Sequence, residues 1–248
     1  MVIRYFGILL PAFILILAGC AAQNTGYGPH FSPIDKHIRK IAIFSPDLYV
    51  YDVSGGGIPE YRIDWSKSAE TTLSNALKLQ LEKKQIEGID VTDIIDTSVT
   101  DTILPVIKLI ISSIQKHLYG NGAFITQIDT FDYHTGPLSE LCNSLQTDAV
   151  MFTFGSDENF SPLREIILKK ATTAKNVKSA ISGILTGTVS IYSVPLARTF
   201  ACCLVADKNG KIIWYKQYIK SDGADLRKSF DAEKIAGQLL SGLHLRRN

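Results

Sequence analysis

The stretch from Thr199 to Ile219 constrains the fold more than any other part of the chain. Thr199–Ala206 is a β-rich apolar run, and Asp207-Lys208-Asn209-Gly210 has the composition of a tight turn. Lys211–Ile219 is a second β-rich run. Asn-Gly between two such runs is expected to supply the positive φ angles of a tight turn, so the chain doubles back as an antiparallel hairpin. Trp214 is placed to cover the resulting sheet. Asp225–Leu245 follows with Leu226, Phe230, Ile235, Leu239, Leu240 and Leu243, which reads as a closing amphipathic helix.

Upstream, strand and helix patterns alternate. Ile38–Phe44 is a first strand ended by Ser45-Pro46. Asp47–Ile63 reads as a long loop holding Gly55-Gly56-Gly57 and Pro59. Asp64 or Ser66 then caps a helix running to about Lys84, with Ala69, Leu73, Ala76, Leu77, Gln80 and Leu81 on one stripe. Gly88–Ile95 reads as a second strand. Thr97–Leu118 is a helix with Pro105 early and Gly120 beyond its end. Lys108, Ser112 and Ser113 break its apolar run, which makes it a buried helix and not a membrane span. Ala123–Ile128 reads as a strand, Leu138–Leu145 as a short helix and Asp148–Phe154 as a buried strand. Asn159–Gly187 reads as a helical insertion. The expected fold class is therefore α/β, with a mixed β-sheet packed by helices.

The N-terminus carries a different message. Arg4 precedes a nearly unbroken apolar run from Tyr5 to Leu17, interrupted by Gly7 and Pro11. That run is shorter than the roughly 20 residues of a spanning helix, and it ends on small residues as a secretory signal does. Leu17-Ala18-Gly19-Cys20 resembles a bacterial lipoprotein signal at every position. The resemblance implies cleavage between Gly19 and Cys20, a diacylglyceryl thioether on Cys20 and acylation of the new amino group. More than one acyl chain is what makes such an anchor stable, at about 0.8 kcal/mol per buried CH₂. Ala21 and Ala22 follow, with no Asp after the cysteine, which in a two-membrane envelope implies the outer membrane facing the periplasm. The chain thus divides into a signal peptide (1–19), a lipidated cysteine with a Gly/Pro-containing tether (20–36), and a single α/β domain (37–248) with its insertion at about 159–187.

The order of elements in that domain has a family likeness. Arg39-Lys40-Ile41-Ala42-Ile43-Phe44 comes before a loop and a long helix; Thr147-Asp148-Ala149-Val150 opens a later strand; Leu204–Trp214 forms the hairpin. The domain resembles the TolB N-terminal domain and the lipoproteins that share it, among them the curli-secretion channel and activators of peptidoglycan synthases. The Asp-x-x-Gly-x-x-x-Trp hairpin is their most repeated local feature. The resemblance implies a non-catalytic binding or assembly module in the cell envelope. It also admits an oligomeric component of a secretion or transport apparatus, for which Ile181–Val194 is the one candidate membrane strand. A periplasmic hydrolase is the weakest reading.

The remaining motifs are modest. The formal net charge is +2, which gives no reason to expect nucleic acid. Gly55-Gly56-Gly57 lacks the Gly-Lys-Ser/Thr ending of a phosphate loop. Tyr49, Tyr51, Tyr61 and Trp65 form a candidate partner-binding loop for a periplasmic protein or cell-wall partner, since such residues are enriched at binding hot spots. Gly155-Ser156-Asp157 lacks the full nucleophile elbow, and a triad would need His117, His134 or His244 nearby. Asp129, Asp132 and His134 more often make a polar surface loop than a metal site. Lys169–Lys178 could touch anionic phospholipid or peptidoglycan carboxylates, although a solvated helix face is the preferred reading. Cys142 could pair with Cys202 or Cys203, although burial as small apolar residues is the preferred reading. No catalytic residue, metal or cofactor is expected, only the covalent lipid on Cys20.

Overall fold

The structure is a computed structural model and describes residues 38–91, 94, 97–118, 133–186, 190–194, 197–221 and 223–243. Gly19 and Cys20, the expected strand Ala123–Ile128, Asp129, Asp132 and His244 lie outside the described residues. In chain order the elements are β1 (Lys40–Ile43), β2 (Asp47–Val53), β3 (Pro59–Tyr61), α1 (Ile63–Glu82), β4 (Glu87–Asp90) and α2 (Thr97–Leu118). They continue with α3 (Ser139–Leu145), β5 (Ala149–Phe160), α4 (Pro162–Thr186), β6 (Thr199–Asp207), β7 (Ile212–Lys220) and α5 (Ser229–Leu239).

All seven strands belong to one mixed sheet. β5 is its axis. Along one edge β5 pairs first with β1 (Ile41 opposite Ala149) and then, after the break at Phe44-Ser45-Pro46, with β2 (Asp47 opposite Phe154), both parallel. Along the other edge it pairs antiparallel with β6, which pairs with β7. β4 flanks β1 in parallel and β3 flanks β2 antiparallel. Parallel neighbours need crossover connections, and crossovers of one hand put helices on opposite faces when the path leads out to β4 and back to β5. Two cores result. Ile41, Ile43, Met151, Cys203 and Val205 pack with α1 and α5 on one face. Ala42, Phe44, Val150, Phe152, Cys202 and Leu204 pack with Ile107, Ile110, Ile111 and Ile114 of α2 and with Cys142 of α3 on the other. Period-two alternation along β1, β5 and β6 makes this division.

Several expectations hold and several need correction. The α2 boundaries coincide with the expected Thr97–Leu118, and the closing hairpin is present. Asp47–Ile63 is not a long loop: it holds a β-hairpin, because Leu48 and Val50 give it a buried side. Neither Asp64 nor Ser66 caps α1. The helix starts at Ile63, and buried Ser66 instead accepts a hydrogen bond from the Val50 N–H at 2.9 Å, tying helix to strand. β5 runs on to Phe160, since β2 and β6 continue to pair with it beyond Phe154. The closing helix is shorter than Asp225–Leu245. Leu226 reaches the core from a turn before α5, and Phe230 is 80 % exposed. Residues 181–186 belong to α4 and 190–194 to no strand, which removes the candidate membrane strand at Ile181–Val194. In the turn after β6 only Gly210 has positive φ (+83°), and Asn209 does not.

Candidate binding cleft

β5 outruns β1, so the carboxyl ends of β2 and β5 stand together at one end of the sheet, where open α/β sheets place ligands. A cavity of about 380 Å³ opens there. Its walls come from four places: Asp52 and Trp65 beside the β2–β3 hairpin, Asn159 to Lys169 where β5 passes into α4, Gly223 to Lys228 ahead of α5, and Val194 and Ala197 ahead of β6.

The third wall is held by a buried carboxylate. Asp157 is fully buried in β5, accepting hydrogen bonds from Thr199 Oγ1 (2.7 Å), the Leu226 N–H (3.0 Å) and Asn159 Nδ2 (3.3 Å). It therefore joins β5, β6 and the segment before α5. Burial pushes its pKa up, and the three hydrogen bonds only partly offset this. Asp225 sits alongside with the opposite balance. Burial favours its neutral form, but the Arg227 fork outweighs that and holds its pKa down; Nε donates at 2.8 Å and Nη2 at 2.9 Å. Arg227 also stacks on Trp65, with its guanidinium carbon 3.7 Å from the ring centre, and Arg62 lies over the same indole at 4.5 Å. Both contacts fall in cation–π range. Trp65 thus carries both cations on its ring and forms one wall of the cleft.

The lining charges decide what the cleft can hold. Asp52, Glu165 and Asp225 contribute three negative charges and Lys169, Arg227 and Lys228 three positive, so they sum to zero. Together with Phe160, Val194 and Trp65, this suits a neutral or zwitterionic polar ligand or a peptide segment better than a phosphate. The triple glycine gives no phosphate cradle either. It is the turn between β2 and β3, in which the Gly57 N–H donates to the Ser54 carbonyl (2.8 Å) and the Ile58 N–H to Ser54 Oγ (3.3 Å).

The four aromatic residues singled out in the sequence do not form one loop surface. Tyr49, Tyr51 and Tyr61 lie on strands, with successive ring centres 5.9 Å apart around Tyr61; Tyr49 and Tyr61 are exposed. Strand alternation puts Tyr49 and Tyr51 opposite Leu48 and Val50, whereas Trp65 packs on the Leu48 side and lines the cleft. Ser156 is mid-strand and not at an elbow. His134 bridges Lys211, at the level of Val150 across the sheet. Val150 and Ser156 are six residues apart, roughly 20 Å along a strand, so no Ser156–His134 pair exists. Among the described residues there is no cluster of three or more His, Cys, Asp or Glu that could hold a metal ion. Cys142, Cys202 and Cys203 are free and buried, Cys202 and Cys203 on opposite faces. Burial pushes the Cys203 thiol up to about 12 and the Cys202 thiol higher still, which disfavours the thiolate at both. Sequence reasoning missed Asn159, Asp225 and Arg227; the available signal was an Asp inside the buried run of β5, which needs partners from elsewhere.

The fold and cleft define a three-layer α/β domain with a mixed sheet and a neutral, aromatic-walled cleft at the strand ends. No protein-family model matches the chain, and no curated protein matches its sequence at a significant level.

Proposed function

We propose that this chain is an envelope lipoprotein, anchored through Cys20 to the outer membrane and facing the periplasm, whose α/β domain is a non-catalytic binding module. The observation that carries the reading is Leu17-Ala18-Gly19-Cys20 at the end of an apolar run. A triacylated cysteine gives stable attachment without a spanning helix, and among the described residues no helix is long and apolar enough to cross a membrane. The likeness to TolB N-terminal domains supports a binding role over a catalytic one. The cleft supplies a place for it: a pocket of this size with an aromatic wall and balanced charges accepts a polar segment of a periplasmic protein or of the cell wall.

The test is Cys20→Ser. Expected are loss of the protein from membranes washed at high salt, which releases electrostatic surface contacts, or retention of the uncleaved precursor, and loss of the lipid mass from the N-terminal peptide. Mature protein that remains membrane-bound through that wash after this change would remove the anchor, and the reading with it.

A further inference from the structure

α4 is packed inside out. Among the described residues its inward stripe is mostly polar: Thr172 is buried, Asn176 and Ser179 are half-buried, and the one long apolar member is Leu168. These residues dock on the returning segment 190–194. Asn176 Nδ2 donates to the Tyr192 carbonyl at 2.9 Å, the Tyr192 N–H donates to Asn176 Oδ1 at 2.7 Å, and the Ser190 N–H donates to Ser179 Oγ at 2.7 Å. At 100° per residue, Leu163, Ile167, Ala174, Val177 and Ile181 fall together on the opposite side, with Lys170 the one charged residue among them. That side faces out: Leu163 is 60 % exposed, Val177 54 % and Ile181 59 %. The hydrogen bonds on the polar side fix this orientation, so the apolar stripe cannot turn inward without breaking them.

The charge on the same helix says what covers the stripe. Pro162–Thr186 carries Arg164, Lys169, Lys170, Lys175 and Lys178 against Glu165 alone, five positive charges and one negative, for a net +4. A second copy packed stripe to stripe would bring two such helices together and repel. An anionic lipid surface takes both features at once. The apolar stripe enters the boundary between headgroups and acyl chains, and the lysine stems reach back along it to the phosphates.

We propose that α4 is a membrane-surface helix that seats its outward stripe on a bilayer containing anionic phospholipid. This contact is separate from the lipid on Cys20. Cys20 and Ile38 are 18 residues apart, a reach of at most roughly 60 Å, so the two contacts can be made on one membrane.

The experiment uses the full chain carrying Cys20→Ser, which removes any lipid anchor, and Ile181→Cys labelled with an environment-sensitive fluorophore. The three native domain thiols are buried and stay unlabelled in the folded protein. Vesicles of phosphatidylcholine with phosphatidylglycerol should move the emission to the blue, and phosphatidylcholine alone should not. Reversing Lys169, Lys170, Lys175 and Lys178 to Glu should weaken binding by at least about a hundredfold, since each lysine near an anionic surface contributes roughly fivefold. An unchanged spectrum on anionic vesicles overturns the proposal, as does an equal shift on both vesicle types. A blue-shifted label without lipid, on a chain that elutes as a dimer, also overturns it and assigns the stripe to a second copy. None of these results bears on lipidation, which is read at Cys20.

Discussion

At the residue scale, Asp157 is the side chain on which the cleft wall depends. It is a carboxylate in the interior, and its cost is offset by donors from three separate segments. Because burial raises its native pKa above the ordinary 3.8, the folded state holds this proton more tightly than the unfolded state. Its contribution to stability is fully present below pH 3.8 and is lost as the pH climbs through the raised native value. Asp225, held below 3.8 mainly by Arg227 against the pull of burial, runs the other way: its contribution is present above 3.8 and is lost as the pH falls through its depressed value. Thermal melts from pH 3.5 to 7 should therefore show the advantage of the wild type over Asp157→Asn shrinking as the pH rises. A difference that stays constant across that range would contradict the assignment of burial as the dominant cause.

At the element scale, the β6–β7 turn shows how a local signal acquires a tertiary reason. Asn209-Gly210 marks a hairpin from sequence, and Gly210 does take φ +83°. Asp207 Oδ1 accepts from the N–H groups of both Asn209 and Lys211, each at 2.9 Å, and so closes the turn through its side chain. What the local pattern does not show is the neighbour. The carbonyl of Gly136 lies where a Cβ on Gly210 would stand, and Thr135 donates its N–H to the Gly210 carbonyl at 2.8 Å. Gly210→Ala thus meets both a left-handed φ and a backbone clash. The expected loss is about 2 kcal/mol or more, read as a lower midpoint in urea with an unchanged slope. A loss under about 0.5 kcal/mol would mean the segment 133–136 is not packed against the turn.

At the scale of the molecule, the sheet with α1, α2 and α5 forms the stable body, and α4 contributes little to it. Leu77 is fully buried between α1 and the sheet face, whereas Val177 is 54 % exposed on the outward stripe of α4. Leu77→Ala should cost about 2–5 kcal/mol through a core cavity. Val177→Ser should change stability by no more than about 0.5 kcal/mol, as surface substitutions do, while weakening attachment to anionic vesicles. Paired denaturation curves separate the two. A Val177→Ser variant destabilised as much as Leu77→Ala would place the stripe inside the fold.

The sequence by itself determined the element types in most of the chain, because strand and helix periods depend only on which neighbours are apolar. It also singled out Cys20, whose proposed lipidation rests on a contiguous motif and needs no folded structure. It misread Asp47–Ile63 as a loop, since a hairpin of tyrosines and charges looks polar until Leu48 and Val50 are seen to share a buried side. Phe230 was misplaced because a turn, and not the helix, delivers Leu226 to the core. Of the cleft, the sequence singled out only Trp65 as a binding residue. Asp52, Trp65, Asp157 and Arg227 are scattered along the chain, and only the register of β2 and β6 on β5 brings them together. Which side of α4 meets water was likewise decided by the tertiary structure, because the hydrogen bonds of Asn176 and Ser179 to segment 190–194 fix an orientation that hydrophobic periodicity alone would have reversed.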